Sequence, residues 1–143
     1  MNLTVSYLDK IRLPLLHKLY KENYPSGKPK GKEDIVILEA DNKMVGAIRI
    51  KVYEDCQFLT GMMIIKEMRQ QNLGSYLLKQ LPSFLPFNTA YCLCEPTLCE
   101  FYLKNNFKHI EDSTIPNAIK IKHERYTKDG KKLNLLTYKK STI

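Results

Sequence analysis

Residues 62–78, Met-Met-Ile-Ile-Lys-Glu-Met-Arg-Gln-Gln-Asn-Leu-Gly-Ser-Tyr-Leu-Leu, constrain the fold more than any other stretch. An apolar strand runs into a short polar turn. The turn runs into an amphipathic segment with apolar residues at 73, 77, 78 and 81. The junction, Arg69-Gln70-Gln71-Asn72-Leu73-Gly74-Ser75, offers backbone N–H groups at a helix start beside a basic side chain. Unpaired amides that converge there, with the helix dipole behind them, suit a phosphate. Asn72 and Gly74 occupy the two positions where backbone freedom is expected to matter most. Glycine takes a positive φ at no steric cost, and asparagine is the next most tolerant residue.

The rest of the chain reads as one domain, 1–143. Its 143 residues are enough for a single sizeable core. With 43% hydrophobic and 27% charged residues, disorder is excluded. No apolar run approaches a membrane span, and the first residues do not read as a signal peptide, so the expected setting is the cytoplasm without membrane contact. A net charge of +8 fits either a solvated lysine-rich surface or attraction to an anion. No helix-turn-helix, zinc-finger or aromatic-glycine RNA signature accompanies it, so nucleic acid is ranked last among partners. Cys56, Cys92, Cys94 and Cys99 lack metal-ligand spacing with His109 or His123 and read as buried reduced thiols.

Residues 2–6 suit a short edge strand, and Pro14 suits the first turn of a helix to about residue 23. The basic, breaker-rich stretch 25–32 reads as a loop. Strands are expected at 34–40 and 43–53, joined by Asp41-Asn42 as a hairpin. Met44, Gly46, Ile48, Ile50 and Val52 would share one face of the second. The strand at about 57–65 is apolar on both faces, as for a central strand packed between layers. A further strand at 89–94, a helix from Pro96 to about Asn105, a helix near Pro116 and a last strand at 133–138 complete the pattern. Ile115, Ala118, Ile119 and Tyr126 would form the apolar side of the helix near Pro116.

Taken with Phe101-Tyr102-Leu103-Lys104-Asn105-Asn106-Phe107, the 69–75 turn resembles the GNAT superfamily of N-acetyltransferases. The family's Arg/Gln-x-x-Gly-x-Gly/Ala loop appears here as Arg69-x-x-Asn72-x-Gly74. Its Phe-Tyr-x-x-x-Gly-Phe segment appears as Phe101-Tyr102-x-x-x-Asn106-Phe107. Both departures put asparagine where the family has glycine. The resemblance covers roughly 35–107. It implies an α/β (α+β) fold with a central, mostly antiparallel mixed sheet, splayed at an acetyl-CoA cleft and flanked by helices. It also implies acetyl-CoA as co-substrate and direct transfer of the acetyl group to a primary amine. The acceptor could be a small molecule, a peptide or a protein.

By the same resemblance, Met62 and Ile64 would face the pantetheine arm and thioester through their backbone groups. Arg69, Gln70, Gln71, Asn72, Leu73, Gly74 and Ser75 would bind the pyrophosphate. Tyr102, with Lys104 nearby, would border the cofactor. A phenol with a pKa near ~10 stays protonated at neutral pH, so Tyr102 is the candidate acid for the leaving thiolate. The base is left open among Glu54, Asp55, Glu95 and a water chain. The 25–32 loop is a candidate wall of the acceptor site, or simply a solvated connection. The tail 111–143 has no assigned role, and the assembly could be a monomer or homodimer. A catalytically silent acyl-CoA-binding module is the alternative function.

Overall fold

The Asp41-Asn42 hairpin organises the first half of the chain. Both residues are left-handed, with φ of 50° and 70°, the conformation of a two-residue turn matched to strand twist. They join β2 (Asp34–Ala40) to β3 (Lys43–Val52) in antiparallel register, Asp34 opposite Ile50 and Ala40 opposite Lys43. β1 (Leu3–Tyr7) pairs antiparallel with β2. β4 (Gln57–Ile64) follows β3.

In this computed structural model, residues 1–110 and 114–140 are described. The stretches 111–113 and 141–143 of the expected tail lie outside them. The chain divides into two compact units, 1–52 with 59–85 and 53–58 with 86–143.

In the first unit, α1 (Leu13–Asn23) carries Pro14 in its first turn, as expected. Its Leu16 and Tyr20 pack with Ile37, Met44, Ala47 and Met63 into a buried core. The strand patterns differ from expectation. In β3 every residue from Met44 to Ile50 is buried, so this strand is covered on both faces, as is β4 over Gln57–Leu59. Val52, the last residue of the expected shared face, is 39% exposed where β3 ends. From residue 60 onward β4 instead alternates, with Gly61 and Met63 buried and Thr60, Met62 and Ile64 half-buried. α2 (Leu73–Gln80) buries Leu73, Leu77 and Leu78. α2 ends at Gln80, close to Pro82. The proline sits early in a 3₁₀ turn, Leu81–Phe84, where a missing N–H costs nothing.

In the second unit, β5 (Thr89–Cys94) pairs antiparallel with β7 (Asn134–Lys139). The two-residue β6 (Lys108–His109), too short to show in the sequence pattern, pairs with the other edge of β7. Between β5 and β6, a 3₁₀ turn at Pro96–Leu98 leads into α3 (Cys99–Leu103). α4 (Asn117–Thr127) buries Ile119, and Ile115 before it is also buried. Both join Cys56, Phe58, Tyr91 and Leu135 in a second core. Tyr126 is not part of that apolar side. It is 41% exposed, with the Lys122 ammonium 5.7 Å from its ring.

Candidate functional site

The turn between β4 and α2 has two left-handed residues, Gln70 at φ 65° and Asn72 at φ 61°. Asn72 is the N-cap of α2 and makes no side-chain hydrogen bond to the first turn. The leading amides of a helix have no intrahelical acceptors, so an anion suits them. Asn72 therefore takes the conformation expected of the glycine it replaces. Gly74 does not. It lies in the first turn of α2, and the left-handed glycines are Gly31, Gly61 and Gly130. Gln70 carries the second reversal instead.

The Arg69 guanidinium is bound to backbone. Its Nε donates to the Ile64 carbonyl at 2.9 Å and its Nη2 to the Asn23 carbonyl at 3.1 Å. Asn23 Oδ1 also accepts the Lys66 N–H at 2.8 Å. The C-terminus of α1 thus holds the start of the turn at Lys66 and Arg69, a role the sequence motif did not reveal. Arg69, Gln70, Gln71 and Asn72 are exposed, Leu73 is buried, and Gly74 and Ser75 are half-buried.

Upstream, Gly61 sits at φ +66° inside β4. A left-handed residue within a strand interrupts the pleat and re-aims the groups that follow. Next along the strand come Met62 and Ile64. The Ile64 side chain lies over Gly46 of β3, where an added Cβ would be 2.6 Å from Ile64 Cδ1. The isolated glycine in an apolar run was the available signal for Gly61, and the sequence reading passed over it.

The expected 25–32 loop is held at one end. Pro25–Gly27 is a 3₁₀ turn and Gly27 is buried. Arg49, 5% exposed in β3, donates Nη1 to the Gly27 carbonyl at 2.8 Å. Its Nε and Nη2 form a fork onto the Glu33 carboxylate at 2.9 and 2.7 Å. The segment also walls a groove of about 830 Å³ lined by Tyr7, Lys10, His17, Lys32, Glu33 and Asp34, among others.

In the second unit, Tyr102 is half-buried on α3, edge-on to Phe101 at 5.1 Å and to Phe107 at 5.3 Å. The helix closes in a reversed turn. Asn105 N–H donates to Tyr102 O at 2.9 Å and Phe107 N–H donates to the same oxygen at 3.1 Å. Asn106 takes φ 73° between them. A glycine-type cap is thus made by asparagine. Lys104 is exposed at the end of α3.

The three carboxylates are all exposed. Glu54 and Asp55 occupy the turn before β4, and Glu95 stands 3.8 Å from Lys131. None is marked as a base by burial. All four cysteines are buried free thiols. Cys94 Sγ and Cys99 Sγ are 2.9 Å apart, and Asn134 Nδ2 donates to Cys99 Sγ at 3.0 Å. Burial, with the Cys99 thiol beside it, pushes the Cys94 thiol up to about 12. Among the described residues, no group of His, Cys, Asp or Glu is arranged to hold a metal ion. No helix there is long and apolar enough to cross a membrane.

Comparison with known proteins places this geometry. Residues 31–109, more than half of the chain, match the family model of the acetyltransferase (GNAT) domain. No curated protein sequence matches the chain. Among solved structures, the ribosomal-protein-S18-alanine N-acetyltransferase from Escherichia coli is similar over 99% of this chain and 96% of its own, with TM-score 0.71 and 17% identity. A GNAT family acetyltransferase from Elizabethkingia anophelis with acetyl-CoA bound is similar over 97% and 99%, with TM-score 0.63 and 12% identity. An N-acetylglutamate synthase from Neisseria gonorrhoeae, complexed with coenzyme A and N-acetyl-glutamate, has TM-score 0.74 and 14% identity over 97% of this chain. The chain spans about a third of that protein's length, 35%. With the expected motifs on the expected elements and the α/β fold in common, the chain belongs to the GNAT family of acetyltransferases.

Proposed function

We propose that the protein transfers an acetyl group from acetyl-CoA directly to a primary amine. The observation that carries this reading is the 69–75 turn, with its two left-handed residues and an N-cap, Asn72, whose side chain makes no capping hydrogen bond. Acetyl-CoA supplies the activated acyl group when bound. The amides of 70–75 would hold its pyrophosphate, and the chain's net charge of +8 favours a polyanion. Arg69 would act chiefly by holding the turn, since two of its nitrogens already serve carbonyls. In β4, backbone groups of Met62 and Ile64 would pair with the pantetheine arm, and an N–H there would stabilise charge on the thioester oxygen.

In the second unit, Tyr102 would give a proton to the leaving thiolate. A thiolate leaves readily, so this is assistance rather than an absolute need. The amine would lose its proton to water or to one of the exposed carboxylates. Solved relatives that hold acetyl-CoA or coenzyme A support the choice of co-substrate.

Acetyl-CoA should raise the unfolding temperature by ligand linkage. Gly74→Val should abolish that rise and leave the circular dichroism spectrum unchanged. Its Cβ branches would stand where backbone must approach phosphate. A full rise in the variant would show that the phosphate site is elsewhere. A screen of amines and peptides for thiol release identifies the acceptor. Saturable binding of acetyl-CoA without turnover on any amine would favour the silent binding module.

A further inference from the structure

Two groups from other elements close on Gly61, the residue before Met62. Tyr20, fully buried on α1, donates its hydroxyl to the Gly61 carbonyl at 2.6 Å. Burial raises the Tyr20 pKa, so the phenol remains a donor at any physiological pH. The second group is Arg49. A Cβ at Gly61 would sit 2.7 Å from Arg49 Cδ and 2.9 Å from the Gly27 carbonyl oxygen. That position is closed by the same arginine that binds Glu33 and Gly27. The Arg49 and Glu33 side chains are only 6% and 9% exposed, so the pair has little freedom.

A trans peptide is planar, with its C=O and N–H pointing in opposite directions. Among the described residues no cis peptide is present. Fixing the Gly61 oxygen toward Tyr20 therefore fixes the Met62 N–H away from it. An oxyanion donor is worth most when its direction is set before the reaction, because nothing then has to reorganise. We infer that Tyr20 and the Arg49–Glu33 pair are positioning residues, which lock the Gly61–Met62 peptide so that the Met62 N–H is aimed at the thioester carbonyl. This inference rests on the acetyl-CoA reading and adds to it the residues that act through the backbone of β4. It also gives the 27–33 segment a task, because the carbonyl of Gly27 and the carboxylate of Glu33 hold the arginine in place.

The test is the infrared band of the carbon-13-labelled thioester carbonyl of acetyl-CoA. A directed donor weakens the C=O bond, so the band should move to lower wavenumber on binding wild-type protein. Tyr20→Phe removes one oxygen. It should lose about half or more of that displacement, while acetyl-CoA affinity from calorimetry stays within about threefold. Glu33→Leu with Arg49→Met replaces the buried pair by apolar side chains, an exchange buried pairs commonly tolerate. It should lose displacement in the same way, and it probes the hold on Gly61 independently of Tyr20. Tyr126→Phe, on the exposed side of α4, should leave band and affinity unchanged. A full displacement in both Tyr20→Phe and the double variant would reduce these residues to core packing and leave the cofactor reading standing. Failure of wild-type protein to bind acetyl-CoA would overturn that reading and this inference with it.

Discussion

The two units secure their candidate residues by different physical means. In the first, polar contacts do it: Tyr20 on Gly61, Arg49 on Glu33 and Gly27, and Arg69 on Ile64 and Asn23. In the second, Tyr102 belongs to a run of ring contacts from Phe101 through Phe107 to Tyr138, with centroids 5.1–5.3 Å apart. Hydrogen bonds are directional and costly to leave half-made, whereas ring packing is broad in angle and sensitive to lost volume. The first arrangement suits a backbone N–H whose direction matters. The second suits a phenol that must stay near a surface and keep its proton.

The largest expected effects separate these two means. Arg49→Ala should cost about 3–5 kcal/mol by urea unfolding, because the Glu33 carboxylate is left buried without its partner. Adding Glu33→Leu should recover most of that loss. Phe107→Ala should cost about 3–5 kcal/mol through lost burial and the space left behind. No change at Tyr138 should restore it. If the second substitution fails to rescue Arg49→Ala, the fork is acting mainly as packing and the contrast between the units dissolves.

Tyr102→Phe comes next, in rate rather than stability. Ring contacts survive and one oxygen is lost. The chemical step in single turnover should slow by ~10²-fold, about 2.7 kcal/mol, with acetyl-CoA affinity retained. A variant with wild-type single-turnover rate would leave Tyr102 as one more ring in the run and would favour the silent binding module.

A third comparison concerns a device the units share. Asn72 and Asn106 both stand in the left-handed region, at φ 61° and 73°. Asn106→Ala should cost about 1 kcal/mol, the penalty for a Cβ in that conformation, and Asn106→Gly only a few tenths. Asn72→Ala should behave alike in the first unit. Equal stability of the alanine and glycine variants would show that the turn relaxes out of the left-handed region.

These asparagines also mark how far the sequence could be read. Each stands in a recognisable short motif, and its tolerance of positive φ is a local property of the residue, so both turns were legible. The β2–β3 hairpin was legible for the same reason. Only the expected backbone freedom of Gly74 failed, because a glycine in a motif can serve close approach as well as unusual φ, and only the backbone distinguishes them. The full burial of β3 and the alternation of β4 from residue 60 were not legible, because the covering of a strand depends on distant elements such as α1 and α2. The grip on Gly61 was hidden for a related reason. Tyr20, Gly27, Glu33, Arg49 and Gly61 are spread over some forty residues, with no spacing that announces them. A single charged residue in the apolar run of β3 and the lone glycine in that of β4 were the local hints.

The smallest effect expected is a difference in alkaline sensitivity. Cys94 is pushed up to about 12 by burial and by the Cys99 thiol, and burial also raises Cys92. A thiol in the unfolded chain titrates near ~8.5. Above that pH the unfolded chain releases protons that the folded second unit retains. Stability is therefore full below the unfolded value and declines as pH rises toward the folded one. The first unit's counterpart is Tyr20, also raised by burial, but a phenol in the unfolded chain titrates near ~10. Amides of β5 and β7 should thus lose hydrogen-exchange protection at lower pH than those of β2 and β3. Cys94→Ala should flatten this early decline, whatever its effect on stability at neutral pH, because slope reports proton release and offset reports packing. An unchanged slope in Cys94→Ala would assign the alkaline loss to groups other than this thiol. Simultaneous loss in β2 and β5 would show that the two units unfold together, so that neither carries an alkaline limit of its own.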